Sequence, residues 1–317
     1  MSVARVKFLE RLAGIRVASQ DNLLLGASAN AAEQQAARLL RNGLSVTAFA
    51  VLEGFVKERT GEVATWLTQQ TLPFSTYPTG LQHAVQDRGL LVLAALQRRE
   101  PAGAEFKRTL IELGASWATS GGGGAWTFPH AALLWPASNL KAGEAISILN
   151  SFGVADKWAH LTKTAEEAGF NVRPTDTLFN EIAARRNASA HDSAYDADVL
   201  LLRSVPNHLL AFAYAFDALL SVGAKSIRAQ AAVTAGASCV NLTRFDQSAS
   251  NPQQWDEYRG SVLNTSVLQA ATHTAADEQQ LLVHLSPQYS SPRDVLCLRA
   301  WDGLEHQVTT WATPGGP

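Results

Sequence analysis

The residues best suited to chemistry lie in one short stretch, where Arg186, Asn187 and His191 stand near the end of a predicted helix. Arg186 continues the apolar stripe marked by Leu178 and Ile182, and a guanidinium on such a stripe is costly unless it is paired or faces a cleft. Asn187 and His191 are four residues apart, so they share one helix face and can orient one another. The stretch therefore predicts a compact site with a guanidinium, an amide and an imidazole.

Such a set of side chains suits the cleavage of RNA without a metal ion or other cofactor. An imidazole titrates near neutral pH, so His191 can take the proton from a ribose 2′-hydroxyl. Arg186 can hold the scissile phosphate by two parallel hydrogen bonds and offset its growing charge. The expected products are a 2′,3′-cyclic phosphate and a 5′-hydroxyl. One imidazole cannot easily act as both base and acid across an in-line geometry, so the mechanism predicts a homodimer that supplies a second copy.

The elements that must position these residues are mostly helical. Apolar residues recur at helical spacing over the first two thirds of the chain. Asn139 is expected to cap a helix that ends near Phe152. The last long helix is expected to run from about Ser204 to Val222, with Pro206 in its first turn.

After Arg228 the pattern changes to short segments rich in Val, Leu, Thr and Trp, which are typical of strands. These segments are 238–245, 260–268, 280–286, 295–301 and 306–311. Asp302-Gly303 lies between the last two and favours a hairpin. The sequence thus predicts a mainly α protein, with a helical bundle over residues 1–225 and a small β-rich module of unknown role over residues 229–317.

Composition and charge narrow the classes of protein. With 46% hydrophobic and 17% charged residues, the chain is expected to fold. A net charge of −2 argues against a general nucleic-acid coat protein, so any contact with RNA requires a local patch. Neither a signal peptide nor an apolar run of the roughly 20 residues that a membrane helix needs is predicted. With only two cysteines, we expect a cytoplasmic protein with reduced thiols and no membrane partner.

Residues 186–191 resemble the signature of the HEPN superfamily, in which an arginine and a following polar residue precede a histidine. Residues 41–55 are similar to the long helix of those domains, which bears an acidic residue after an apolar run, here Glu53. Residues 138–154, followed by Trp158, resemble the RiboL-PSP-HEPN subgroup and its close relatives, between which these residues do not discriminate. The resemblance covers roughly residues 1–225 and leaves the β-rich module untouched.

The resemblance implies a helical bundle that dimerises, brings two Arg/His motifs into one composite cleft and cleaves RNA. By position, Arg186 and His191 would be the catalytic pair and Asn187 their polar companion. Glu53 could contact substrate or be an exposed salt-bridge partner, and Arg185 could either extend a phosphate-binding patch or be a solvated charge. The family also implies a toxin–antitoxin or anti-phage defence role, with an antitoxin or another regulator as partner.

Two alternatives belong to other functional classes. An HD-type metal phosphohydrolase would take its ligands from His160, the His191-Asp192 doublet and Asp217, although that doublet usually lies among apolar residues and here it does not. A non-catalytic HEPN-like scaffold would bind RNA or dimerise, with the β-rich module recognising a partner. The presence of both Arg186 and His191 argues against the scaffold, because a degenerate copy is expected to lose one of them.

Overall fold

The computed structural model describes residues 2–26, 30–99, 103–120, 126, 128–129, 133, 139–171, 173–230, 240–259, 269–301 and 306–317. These residues form ten α-helices and one sheet of five strands. The predicted fold class, mainly α with a small β-rich part at the C-terminal end, is confirmed.

The helices occupy most of the chain before the sheet. They are α1 (Val3–Ser19), α2 (Ala31–Thr68), α3 (Thr79–His83), α4 (Gly89–Arg99), α5 (Ala104–Ser120), α6 (Ala142–Ser151), α7 (Lys157–Glu167), α8 (Thr175–His191), α9 (Val199–Arg228) and α10 (Glu278–Leu285). A π-helical turn, Ala84–Arg88, joins α3 to α4. The change from helix to strand occurs between Arg228 and Asn241.

Helix α9 is the centre of the fold. Every residue from Leu209 to Ile227 is buried, because α1, α2 and α7 pack around the helix. The carboxylate of Asp198 caps the helix by accepting from the backbone N–H of Leu200 at 2.7 Å. α9 therefore begins earlier than the sequence indicates, and Pro206 lies inside the helix rather than in its first turn.

Two helices, α2 and α9, are long and apolar enough to cross a membrane by length and composition, whereas the sequence analysis expected no such segment. In α9 the whole apolar window is buried inside the protein, and in α2 44% of it is. The core helix of a soluble protein passes the same test, so the finding is weak evidence for a membrane span.

The five strands form a mixed sheet in the order β3-β2-β1-β4-β5. They are β1 (Asn241–Gln247), β2 (Gln254–Arg259), β3 (Gln269–Thr274), β4 (Asp294–Trp301) and β5 (His306–Ala312). β1 and β4 are parallel, and the other neighbours are antiparallel. The antiparallel pairing of β4 with β5 agrees with the predicted hairpin, although Asp302-Gly303 and the predicted strand 260–268 lie outside the described residues.

The predicted strand 280–286 is wrong, because this segment belongs to helix α10. Asp277 caps α10 by accepting from the backbone N–H of Gln280 at 2.8 Å. Leu281, Leu282 and Leu285 then form a buried helical stripe. A short apolar run of this kind is compatible with either a strand or a helix, and the packing of the sheet decides between them.

Both faces of the sheet are covered, as the alternation along β4 shows. Val295 and Cys297 belong to the same hydrophobic core as the central helices, whereas Leu296 and Leu298 pack with α10. Successive strand residues point to opposite faces, so β4 is apolar at consecutive positions because each face meets a helix. The helical part and the sheet therefore share one core. Cys297 is buried as a free thiol, and Cys239 lies outside the described residues.

A buried ion-pair network joins β5 to the helices. Asp217 of α9 accepts hydrogen bonds from Arg5 Nε at 2.7 Å, Arg59 Nε at 2.5 Å and Trp311 Nε1 at 2.6 Å. Arg5 also donates to the backbone oxygen of Trp311 at 3.0 Å. Burial alone would raise the pKa of Asp217, but the two guanidinium groups outweigh it and lower that pKa to about 2. The ionised carboxylate thus links α9 to three other elements that are distant in the sequence, namely α1, α2 and β5.

Candidate functional site

The predicted site lies at the C-terminal end of α8. Leu178 and Ile182 anchor this helix in the core, and the turns that follow emerge at the surface. Arg186 is partly buried there, whereas Asn187 and His191 are exposed. The end of one helix thus presents the three side chains that the sequence singles out.

Helix α8 ends at His191 because the next residue forms a turn. Asp192 has extended backbone geometry, and its Oδ1 accepts from the backbone N–H of Ala194 at 2.8 Å. Such a local bond competes with continuation of the helix. The side chain of His191 is exposed and makes no hydrogen bond or ion pair with any described residue. Its imidazole is therefore accessible to a ligand that approaches this end of the helix.

The guanidinium of Arg186 is held by neutral groups. Nη1 donates to Asn187 Oδ1 at 3.0 Å and Nη2 donates to Asn139 Oδ1 at 2.8 Å. No described carboxylate forms an ion pair with Arg186. Because amide oxygens carry no net charge, these two hydrogen bonds leave the guanidinium without a carboxylate ion-pair partner among the described residues. Its remaining N–H groups can bind an anion in a defined orientation.

Glu53 reaches the same place from α2. Its Oε1 accepts from the backbone N–H of Leu140 at 2.8 Å, and the preceding residue, Asn139, binds Arg186. Residues 139–140 thus connect Glu53 to Arg186. The interpretation of Asn139 as a helix cap is wrong, since Lys141 is the residue that precedes α6. Asn139 is not among the site residues that the sequence predicts, because no local pattern pairs it with a residue on α8.

Arg185 is adjacent to Arg186 in the sequence, but its ion-pair partner lies one turn back on the same helix. Its Nη2 pairs with Glu181 Oε2 at 3.1 Å, and its side chain is only 14% exposed. The charge of Arg185 acts on His208 of α9, whose pKa is lowered mainly by burial and further by this arginine. Arg185 therefore shares the carboxylate of Glu181 with Arg173, which pairs with it at 2.6 Å, and it makes no bond to the group around Arg186 among the described residues.

The residues that an HD-type metal site would require have other roles in this structure. Asp217 is fully buried and bound by two arginines in the network described above. The Nδ1 atom of His160 lies 2.6 Å from the backbone oxygen of Ala155. Within the described residues, no group of three or more His, Cys, Asp or Glu side chains is arranged to hold a metal ion.

Comparison of the chain with protein-family models, with curated proteins and with solved structures finds no match. The resemblance to the HEPN superfamily therefore stays a prediction from the sequence. The grounds for a functional proposal are the fold and the chemistry of the side chains at the end of α8.

Proposed function

We propose that this protein is a metal-independent endoribonuclease of the HEPN type that acts as a homodimer. The state of Arg186 is the observation that carries the proposal. Its guanidinium is partly buried, and the described residues bind it only through amide oxygens. A guanidinium without a carboxylate partner keeps N–H groups for an anion, and a bound phosphate would pair with it through charge-assisted hydrogen bonds.

In the proposed reaction, His191 takes the proton from the 2′-hydroxyl and the 2′-oxygen attacks the phosphorus. The bond from phosphorus to the 5′-oxygen breaks, and the leaving oxygen receives a proton from the imidazolium of the second copy. Arg186 donates to the non-bridging phosphate oxygens, where negative charge grows. Asn187 shares a helix face with His191 and also binds Arg186, so it orients the pair. The products are a 2′,3′-cyclic phosphate and a 5′-hydroxyl.

The spacing of the two catalytic groups supports a site built from two copies. Arg186 and His191 are five positions apart, which separates them by about 140° around the helix axis. One chain therefore directs the two groups to different sides of α8. Two copies that pack with their α8 ends together would line one cleft with both pairs.

Exposed leucine side chains on elements near the end of α8 support self-association. Two contacts of Arg41 join the segments that carry these leucines. Arg41 pairs with Asp196 at 2.6 Å and donates to the backbone oxygen of Leu24 at 2.5 Å. Exposed apolar surface of this kind marks interaction sites, and we propose that a second copy covers it. The leucine surface comprises six exposed side chains: Leu23, Leu25, Leu39, Leu40, Leu200 and Leu201.

Replacement of Leu200 by Glu is expected to weaken the homodimer. Leu200 is 73% exposed in the single chain, so the change leaves the fold intact but buries a charge in the proposed interface. We expect the dissociation constant to rise at least about tenfold, measured by light scattering over a concentration series. Ile111→Glu is the matched control, because Ile111 is 71% exposed on α5. A monomeric wild type, or equal weakening by both changes, would contradict this interface.

Cleavage of total RNA by the purified protein in excess EDTA tests the proposed activity. We expect fragments with 2′,3′-cyclic phosphate and 5′-hydroxyl ends, because no step requires a metal ion. Activity that EDTA removes and a divalent metal restores would contradict the proposal and favour a metal-dependent phosphohydrolase. No cleavage under either condition would favour a non-catalytic scaffold that binds RNA or dimerises.

The biological setting that we propose is a cytoplasmic toxin or anti-phage effector with RNA as its substrate. The HEPN resemblance alone supports this setting, and it implies an antitoxin or another regulatory partner. The resemblance assigns no role to the sheet, although the sheet shares its core with the helices.

A further inference from the structure

A cavity lies away from the end of α8, where the helices meet the sheet. It has a volume of about 290 Å³ and lies between the segment after α7, one side of α9, and strands β4 and β5. This volume is near the lower end of ligand pockets, which hold about 300–1,000 Å³, so the cavity fits a small molecule. Its lining residues are Ala168, Gly169, Phe170, Asn171, Ser204, Asn207, His208, Leu210, Arg299, Gln307 and Val308.

The lining has the chemistry of an anion site with an adjoining apolar wall. None of the described lining residues carries a carboxylate, whereas Arg299 supplies a guanidinium and His208 an imidazole. Three amide side chains and one hydroxyl add hydrogen-bonding groups. Phe170, Leu210 and Val308 provide the apolar wall. An arginine binds phosphate oxygens by its planar fork, and amide groups pair with the edges of planar heterocycles.

Arg299 is held in place before any ligand arrives. Its Nη1 lies 3.6 Å from Asp246 Oδ1, and its side chain is 13% exposed. The guanidinium also rests against Gly169, where a Cβ atom would approach Arg299 Cζ to 3.2 Å. Gly169 has a φ of +93°, so glycine serves there for two reasons, the backbone conformation and the close approach. A cation fixed in this way loses little conformational entropy on binding.

His208 presents a polar atom that the described residues leave unsatisfied. Its Nδ1 is buried and has no hydrogen-bond partner. A buried polar atom without a partner costs free energy of about 1–3 kcal/mol, so the ring of His208 is held in the cavity wall at some expense of stability.

We propose that this cavity binds a small ligand with a phosphate group and an attached heterocycle, such as a mononucleotide. Arg299 and His208 bind the phosphate, and the amide side chains and Phe170 contact the heterocycle. The site is separate from the proposed catalytic groups, since no lining residue belongs to the end of α8. It gives the junction of helices and sheet a role beyond the proposed nuclease activity.

Titration calorimetry of the full chain with adenosine 5′-monophosphate tests the proposal. We expect inorganic phosphate and adenosine each to bind at least about tenfold more weakly than the nucleotide, because each lacks half of the contacts. Arg299→Gln should weaken binding of the nucleotide at least about tenfold. Arg108→Gln is the control, since Arg108 is 64% exposed on α5.

Asn207→Asp tests the anion site without disturbing the core. Asn207 is exposed and its Oδ1 accepts from Arg16 at 3.3 Å, a contact that an aspartate would keep. The added negative charge lies in the same cavity as the anionic ligand and replaces an amide that contacts the heterocycle, so it should weaken binding by about tenfold or more. His191→Ala should bind the nucleotide as the wild type does, so a failure of the nuclease proposal leaves this test intact.

Three outcomes would overturn the proposal. One is no binding of the nucleotide at millimolar concentration. Another is that one part of the ligand binds as tightly as the whole nucleotide. If adenosine does so, the phosphate is not recognised, and if inorganic phosphate does so, the heterocycle is not recognised. The third is unchanged affinity in both Arg299→Gln and Asn207→Asp, with circular dichroism showing that both variants fold.

Discussion

Replacement of His191 by Ala is expected to lower the rate of RNA cleavage by roughly 10²–10⁴-fold, the usual contribution of a general base or acid. The folded state should be unaffected, because the side chain is exposed and makes no hydrogen bond to the described residues. Initial rates on a fluorescent RNA, with thermal unfolding of the same samples, measure both effects. His284→Ala is the matched control, since His284 is an exposed histidine on α10.

Arg186→Lys extends this prediction to the phosphate-binding group. A lysine keeps the charge but cannot form two parallel hydrogen bonds, so the rate should fall by roughly 10²–10³-fold. Asn139→Ala should produce a smaller loss, because it removes only the contact that holds the guanidinium at 2.8 Å. Full activity in either His191→Ala or Arg186→Lys would remove those residues from the catalytic mechanism. Retained binding of RNA by an inactive His191→Ala protein would instead support its role in the chemical step.

Replacement of Asp217 by Asn is expected to destabilise the fold by about 3–5 kcal/mol, the usual cost of removing one partner of a buried ion pair. Arg5 would keep no described carboxylate partner, and Arg59 would keep only Glu62, at 2.9 Å. Urea unfolding at a fixed protein concentration measures the free energy of unfolding. Glu58→Gln is the control, because Glu58 is 35% exposed and its pairs with Lys7 and Arg11 are 3.5 Å long. It should cost under about 1 kcal/mol.

The same carboxylate predicts a dependence of stability on pH. Its pKa of about 2 lies below the ordinary value of 3.8, so the folded state holds the ionised form more strongly than the unfolded state does. This contribution is fully present above pH 3.8 and is lost as the pH falls towards 2. It amounts to about 2 kcal/mol and should be missing from the Asp217→Asn variant. An identical loss of stability in both proteins over this range would contradict the assignment.

Local sequence patterns predicted the parts of this protein that depend on neighbouring residues. The central helix, strands β1, β4 and β5, and the place of Arg186 and His191 near the end of a helix all follow from periodicity or short spacing. A helix fixes the relative directions of residues a few positions apart, whatever the rest of the chain does. The predicted start of α9 was wrong, because a cap competes with other start signals nearby. The helix begins after its cap, Asp198, and Pro206 lies inside it.

Only the tertiary structure decided which distant residues meet. Asn139 and Arg186 are 47 positions apart, Glu53 and Leu140 are 87 apart, and Arg5 and Asp217 are 212 apart. No local pattern encodes such pairs, because the packing of whole helices selects them. Tertiary packing also decided that α10 is a helix and not a strand, because its apolar side chains cover one face of the sheet. The sequence by itself therefore determined which groups could do chemistry, and packing determined which partners hold them.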